Sequence, residues 1–187
     1  MSKYLFIDRD GVVNKDPGDW TETGYVTKWE DFYFLPRVLE SLKKATDSGY
    51  RVVIISNQQC VGKGYITSEE LDDLTDNIKR AMKEAGVDVA GIYYCVHKKD
   101  DECSCRKPKP GLFHMAQDEF EIKDLKNCFY IGDSARDIVA GKKAGMKTIL
   151  VLSGKSEPGE VDAWEDKPDH VCKDLDCAVD IALEEGE

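Results

Sequence analysis

The chain has 187 residues, of which 41% are hydrophobic and 34% charged, with 6 Pro and 15 Gly. This composition predicts one domain spanning residues 1–187 with a sizeable core, and it excludes a disordered or low-complexity chain. With 37 Asp and Glu against 26 Lys and Arg, the net charge of −11 argues against duplex nucleic acid and an anionic membrane surface as partners. No apolar run approaches the roughly 18 residues of a spanning helix. The start MSKYLFIDRDG lacks the apolar core of a signal peptide, so a cytoplasmic protein is expected. Seven cysteines are too sparse, and odd in number, for a disulfide scaffold; in a reducing compartment a cluster of them points to metal.

Tyr4 to Ile7 is an apolar run that stops at Asp8, too short for a helix and read as a buried strand. After a polar, Gly-containing stretch, Pro36 opens a helix with Val38, Leu39, Leu42 and Ala45 on one face and Gly49 at its end. Residues 51–56 form a β-branched run, the pattern of a strand buried on both sides. Thr67 and Glu70 make a capping box for a helix carrying Leu71, Leu74, Ile78 and Met82. Strands over 91–95, 128–131, 147–152 and 170–172 then alternate with helices after Pro110, over 135–144 and over 174–183. Residues 153–167 read as a polar surface loop and 184–187 as a frayed tail. This alternation predicts an α/β fold of three layers, a Rossmann-like parallel sheet with helices on both faces and right-handed crossovers.

Ligands of such sheets gather at the carboxyl ends of the strands. Asp8, Ser56, the Cys95 region and Asp133 each follow directly after a predicted strand, so the fold itself collects them at one edge. A D-x-D pair alone says little, because about seven pairs of acids two apart occur by chance in so acidic a chain. Asp8-Arg9-Asp10-Gly11 is sharper: it ends an apolar strand and runs into a glycine, where the chain can turn tightly and bring backbone amides toward an anion.

In chain order from Tyr4 to Leu152, LFIDRDGVVN, VVIISNQ, RKPKPG and YIGDSARDI resemble the four motifs of the haloacid dehalogenase superfamily. The resemblance implies a phosphatase with a minimal cap. Asp8 matches the nucleophile and Asp10 the general acid/base. Ser56 and Asn57 fall where the transferring phosphoryl group is bound, and Lys107 supplies positive charge to it and to Asp8. Mg2+ would be held by the Asp8 carboxylate, the Asp10 carbonyl and Asp133, with Asp137 orienting its ligands from one helical turn further on. Arg9 and Arg106, with Lys63 as a helper, are candidates for a second anionic group of the substrate. The expected partner is a small phosphorylated sugar and the acting unit a monomer.

Cys95, His97, Cys103 and Cys105 offer three thiolates and one imidazole, the closed tetrahedral set of a structural Zn2+. The loop over 95–107 is polar, with no apolar stripe to anchor it; zinc would fold it just before Arg106 and Lys107. Four protein ligands leave no open position, so catalytic zinc is disfavoured. The pattern resembles the heptose bisphosphate phosphatase branch, and histidinol-phosphate phosphatases share much of it. Val96 stands where that branch has Pro, residues 98–102 form a shorter interval, and Gln59-Cys60 replaces Ser-Gly, all near the expected substrate mouth. A cationic mouth favours a second phosphate over an ammonium group. Cys128, Cys172 and Cys177 read as core; Trp20, Tyr25 and Trp29 line or pack the entrance. The alternative of another class is a non-catalytic metal-binding or interaction module on a degenerate fold. It would be expected to lack one of Asp8, Asp10, Ser56, Lys107 and Asp133, and all are present.

Overall fold

β1 (Lys3–Ile7) sends Leu5 and Ile7 into one apolar cluster and Tyr4 and Phe6 into another. That period of two, with both sets buried, makes it a central strand rather than an edge. The structure, a computed structural model, describes residues 3–18 and 20–186. Around β1 lie β2 (Tyr50–Asn57), β3 (Val89–Cys95), β4 (Phe129–Gly132), β5 (Lys147–Val151) and β6 (His170–Cys172). All pairings are parallel, in the order β3-β2-β1-β4-β5-β6.

The helices are α1 (Val38–Asp47), α2 (Ser68–Glu84), α3 (Gly111–Glu119), α4 (Ala135–Lys143) and α5 (Leu175–Glu185). Buried residues of α1, α2 and α5 join the cluster of Ile7, Ile54 and Ile131, whereas Phe113 of α3 and Ala140 of α4 join that of Phe6, Ile55 and Tyr130. The chain crosses the sheet one way from β1 to β3 and the other way from β3 to β6, so one crossover hand puts the connecting helices of the two passes on opposite faces. The sheet order reverses beside β1, and the crevice at such a switch point is where the carboxyl ends of β1, β2 and β4 open.

The capping box of α2 is formed: Glu70 N–H donates to the Thr67 hydroxyl at 3.1 Å and Thr67 N–H to the Glu70 carboxylate at 2.8 Å. α1 starts later than Pro36 suggests, because Arg37 takes a left-handed φ of 61° before the first turn. Two expectations are corrected. The tail is not frayed up to Glu185: its carboxylate accepts from Lys147 and His170, each at 2.8 Å, and α5 runs to that residue; Glu187 lies outside the described residues. Nor is 153–167 merely a surface loop, because its first residues close over the site described next. Trp20 and Trp29 pack against the core, and Tyr25 faces the entrance. Among the described residues no helix is long and apolar enough to cross a membrane.

Candidate active site

Asp8 and Asp133 follow adjacent strands, β1 and β4, and Asp137 lies in the first turn of α4. One carboxylate oxygen from each falls within 4.8 Å of the others. Two features bring the chain this close. Gly11 turns with φ at 85°, and a Cβ there or on Gly154 would strike the Asp133 carboxylate. Lys155 N–H then donates to Asp133 Oδ2 at 2.8 Å, and the Ser153 hydroxyl to the Gly11 carbonyl at 2.8 Å. Residues 153–155 therefore cap the acid; their polar composition gave no periodicity from which to read this.

Lys107 is the cation at the centre. It is buried, and its Nζ lies 2.8 Å from Asp8 and 2.6 Å from Asp137 while donating to the Ile55 carbonyl at 3.0 Å and the Tyr130 hydroxyl at 2.9 Å. Tyr130 in turn donates to Asp137 at 3.0 Å, and the Ser134 hydroxyl also donates to Asp137. Burial works against the charge of Asp137, but Lys107 and these donors hold its carboxyl at about 2. Asp8 is pushed up to about 6, chiefly by burial, with Lys107 opposing and Asp137 adding. Asp133 is pushed up to about 8 by burial and then by the charges of Asp137 and Asp8. Three buried carboxylates meet where the one buried ammonium pairs with only Asp8 and Asp137, a hard-oxygen site short of positive charge and suited to a divalent cation such as Mg2+.

Ser56 lies buried at the end of β2 and lines the inner pocket with Asp8, Asp10, Lys107 and Asp133. Asn57 also lines it, but its side chain is engaged elsewhere: Lys107 N–H donates to Asn57 Oδ1 at 3.0 Å and Asn57 Nδ2 donates to the Lys107 carbonyl at 3.1 Å. The Asn57 side chain is thus a clamp on the lysine-bearing loop. Arg9 is corrected outright. Its side chain is 0% exposed and folded back onto Asp10 at 2.9 Å, so it does not reach the mouth. Asp10, despite burial, is held below the usual carboxylate range by Arg9 and by bonds from Asn14 and Gln58.

The inner pocket opens into a cavity of about 630 Å3 that Lys99, Arg106, Lys109, Arg136, Lys143 and Lys155 line against Asp10 and Asp101. Arg106 is where the sequence reading puts it, with Nη1 donating to the His97 carbonyl at 3.3 Å. Lys63 instead stands behind the wall, donating to the Tyr25 hydroxyl at 3.2 Å. Arg136, Lys143 and Lys155 were missed. The position of Arg136 beside motif residues Asp133 and Asp137 was the available signal.

The loop leaving β3 gathers Cys95, His97, Cys103 and Cys105. Cys95 Sγ lies 3.7 Å from Cys103 Sγ and 3.1 Å from Cys105 Sγ, and His97 Nδ1 lies 3.2 Å from Cys105 Sγ and 3.6 Å from Cys95 Sγ. With Zn–S near 2.3 Å, a tetrahedral site has edges of about 3.7 Å. The four donors fit zinc in number and kind, and the separations of Cys95 from Cys103 and from His97 match that edge.

Comparison with known proteins agrees with this geometry. A HAD-hydrolase-like family model matches residues 104–178. A D-glycero-beta-D-manno-heptose-1,7-bisphosphate 7-phosphatase of Helicobacter pylori is 40% identical over 152 residues, covering 81% of this chain and 84% of the relative. The chain belongs to this family of haloacid dehalogenase-like phosphatases. It is similar also to the alpha-heptose counterpart from Photorhabdus laumondii, at 39% identity over 168 residues, covering 84% of this chain and 88% of the relative. In three dimensions it resembles the D,D-heptose 1,7-bisphosphate phosphatase from B. bronchiseptica complexed with magnesium and phosphate. The TM-score is 0.86 at 31% identity, over 98% of this chain and 99% of that one. The three-layer α/β fold and the phosphoric monoester hydrolase class read from the sequence are borne out.

The raised carboxyls set a pH test. Asp8 and Asp133 hold protons in the folded chain that they release when it unfolds, so without metal they subtract stability as pH rises from about 4 through 6 and 8. A dication binding there displaces those protons and relieves the repulsion. Saturating Mg2+ is therefore expected to raise Tm more at about pH 8 than at about pH 5, read by thermal denaturation at matched ionic strength. An equal or larger shift at the lower pH would count against this placement of the cation.

Proposed function

We propose that the chain hydrolyses the 7-phosphate of a D-glycero-D-manno-heptose 1,7-bisphosphate through a phospho-Asp8 intermediate. The observation that carries this reading is a cationic cavity, in a chain of net charge −11, leading to Asp8, Ser56, Lys107 and Asp133 at one sheet edge. The Asp8 carboxylate attacks phosphorus, the bond from phosphorus to the sugar oxygen breaks, and Asp10, having taken up a proton from solvent as the substrate binds, gives that oxygen a proton. Water then attacks phospho-Asp8, Asp10 takes its proton, and phosphate leaves with the Asp8 carboxylate restored. Lys107 and the Ser56 hydroxyl hold the phosphoryl oxygens through both displacements. Asp8, the Asp10 carbonyl and Asp133 would hold Mg2+, which would supply charge neutralisation at the transferring group. Asp137 keeps Lys107 in place and orients the metal's surroundings. The whole chain acts as one domain.

Six cations around the mouth favour a substrate with a second anion and disfavour histidinol phosphate, whose ammonium they repel. The named relatives point to the same sugar class. The test compares kcat/KM for heptose 1,7-bisphosphate and histidinol phosphate in the wild type and in Arg106→Ala. The bisphosphate is expected to be preferred, and Arg106→Ala to lower its kcat/KM by about 10-fold or more, with a smaller effect on histidinol phosphate. Preference for histidinol phosphate, or equal losses, would contradict the substrate assignment.

Zinc in the Cys/His loop would serve structure, fixing Arg106 and Lys107 through the short chain that joins them to Cys105. Protein purified without added zinc is expected to contain about one equivalent, and Cys103→Ser to lower both that content and Tm. Metal-free protein of unchanged stability would show the cluster to be incidental.

A further inference from the structure

The chemistry above leaves one charged side chain at the site without a part. Arg9 is the largest fully buried side chain among the described residues. Its Nη2 reaches both Asp10 oxygens, at 2.9 and 3.1 Å, and its Nε reaches Oδ1 at 3.2 Å. The Tyr94 ring lies across the guanidinium, 5.7 Å from its carbon. Two neutral amides converge on the same carboxylate, Asn14 Nδ2 on Oδ1 at 2.9 Å and Gln58 Nε2 on Oδ2 at 2.7 Å.

Neutralising an aspartate needs one cation, whereas donors from three sides fix its direction. The guanidinium makes three contacts with Asp10, through Nε and Nη2, so the carboxylate is what it is aimed at. We propose that Arg9 is a positioning residue for catalysis: from inside the fold it holds Asp10 in the orientation that passes a proton between the carboxyl and the reacting oxygen. Oδ1, bound by Arg9 Nε, Arg9 Nη2 and Asn14, is the anchored oxygen. Oδ2 is the exchanging one, because its shortest partner, Gln58, also donates to the Ser56 hydroxyl at 3.0 Å, on the wall of the inner pocket. The proton given to the leaving sugar oxygen in the first displacement is regained from water in the second, so Asp10 ends as it began. The inference rests on the proposed role of Asp10.

A leaving group that needs no proton separates positioning from folding. With heptose bisphosphate, Arg9→Met is expected to lower kcat by about 10²-fold or more with KM little changed, the range of a lost general acid. With p-nitrophenyl phosphate, the first-turnover release of p-nitrophenol should fall by less than about 10-fold. Arg9→Lys keeps the buried charge but not the planar fork, and it should show the same split in a fully folded protein. In an Asp10→Asn background, Arg9→Met should cause little further loss, because the two residues act as a unit. Equal losses for both leaving groups, or losses that multiply in the double variant, would overturn the inference while leaving Asp10 its role. Full turnover by Asp10→Asn alone would overturn the role of Asp10, and the inference with it.

Discussion

Three carboxylates, Asp8, Asp133 and Asp137, meet within 4.8 Å of one another, and a buried ammonium, Lys107, pairs with two of them, Asp8 and Asp137. Like charges at that separation repel strongly once water is excluded, so the arrangement persists only because the fold over-determines it. Asp8 and Asp133 are fixed by the pairing of β1 with β4, Asp137 by the first turn of α4, and Lys107 by four polar partners. The site remains short of positive charge, which suits it to a cation and to chemistry that moves negative charge.

The remaining architecture serves this crowding. Lys107 lies on a loop rather than in the sheet, and two devices hold that loop. The Asn57 amide grips the Lys107 peptide from both sides, and two residues upstream Cys105 joins a cluster that fits zinc. Residues 153–155 press on Asp133 from the other side, where Gly11 and Gly154 leave no room for a Cβ. The acidic chain then presents its cations where a phosphorylated substrate enters, which attracts anions to the mouth in spite of the overall charge.

Much of this was legible in the sequence, and the limits have physical causes. Strand ends are marked where an apolar run stops, and a parallel sheet puts those ends on one edge, so Asp8, Ser56 and Asp133 could be gathered without coordinates. Lys107 and the Cys/His loop were carried by motif and ligand chemistry. Side-chain direction was not legible. Arg9 looks on paper like a mouth residue beside two acids, yet its guanidinium turns inward onto Asp10, across the ring of Tyr94 from distant β3. The clamp of the Asn57 side chain on the Lys107 backbone was not legible because the two are 50 residues apart. The cap over Asp133 comes from a polar segment with no periodicity, and Arg136, Lys143 and Lys155 reach the cavity only through the folded path of the chain.

The account turns on Asp8 carrying the phosphoryl group in the middle of the reaction. Acid quenching during turnover of heptose bisphosphate, followed by peptide mass spectrometry, reads this directly. The account predicts a phosphoryl adduct on Asp8 that is absent from Asp8→Asn, itself without turnover. Steady turnover by Asp8→Asn, or an adduct on a residue other than Asp8, would contradict it.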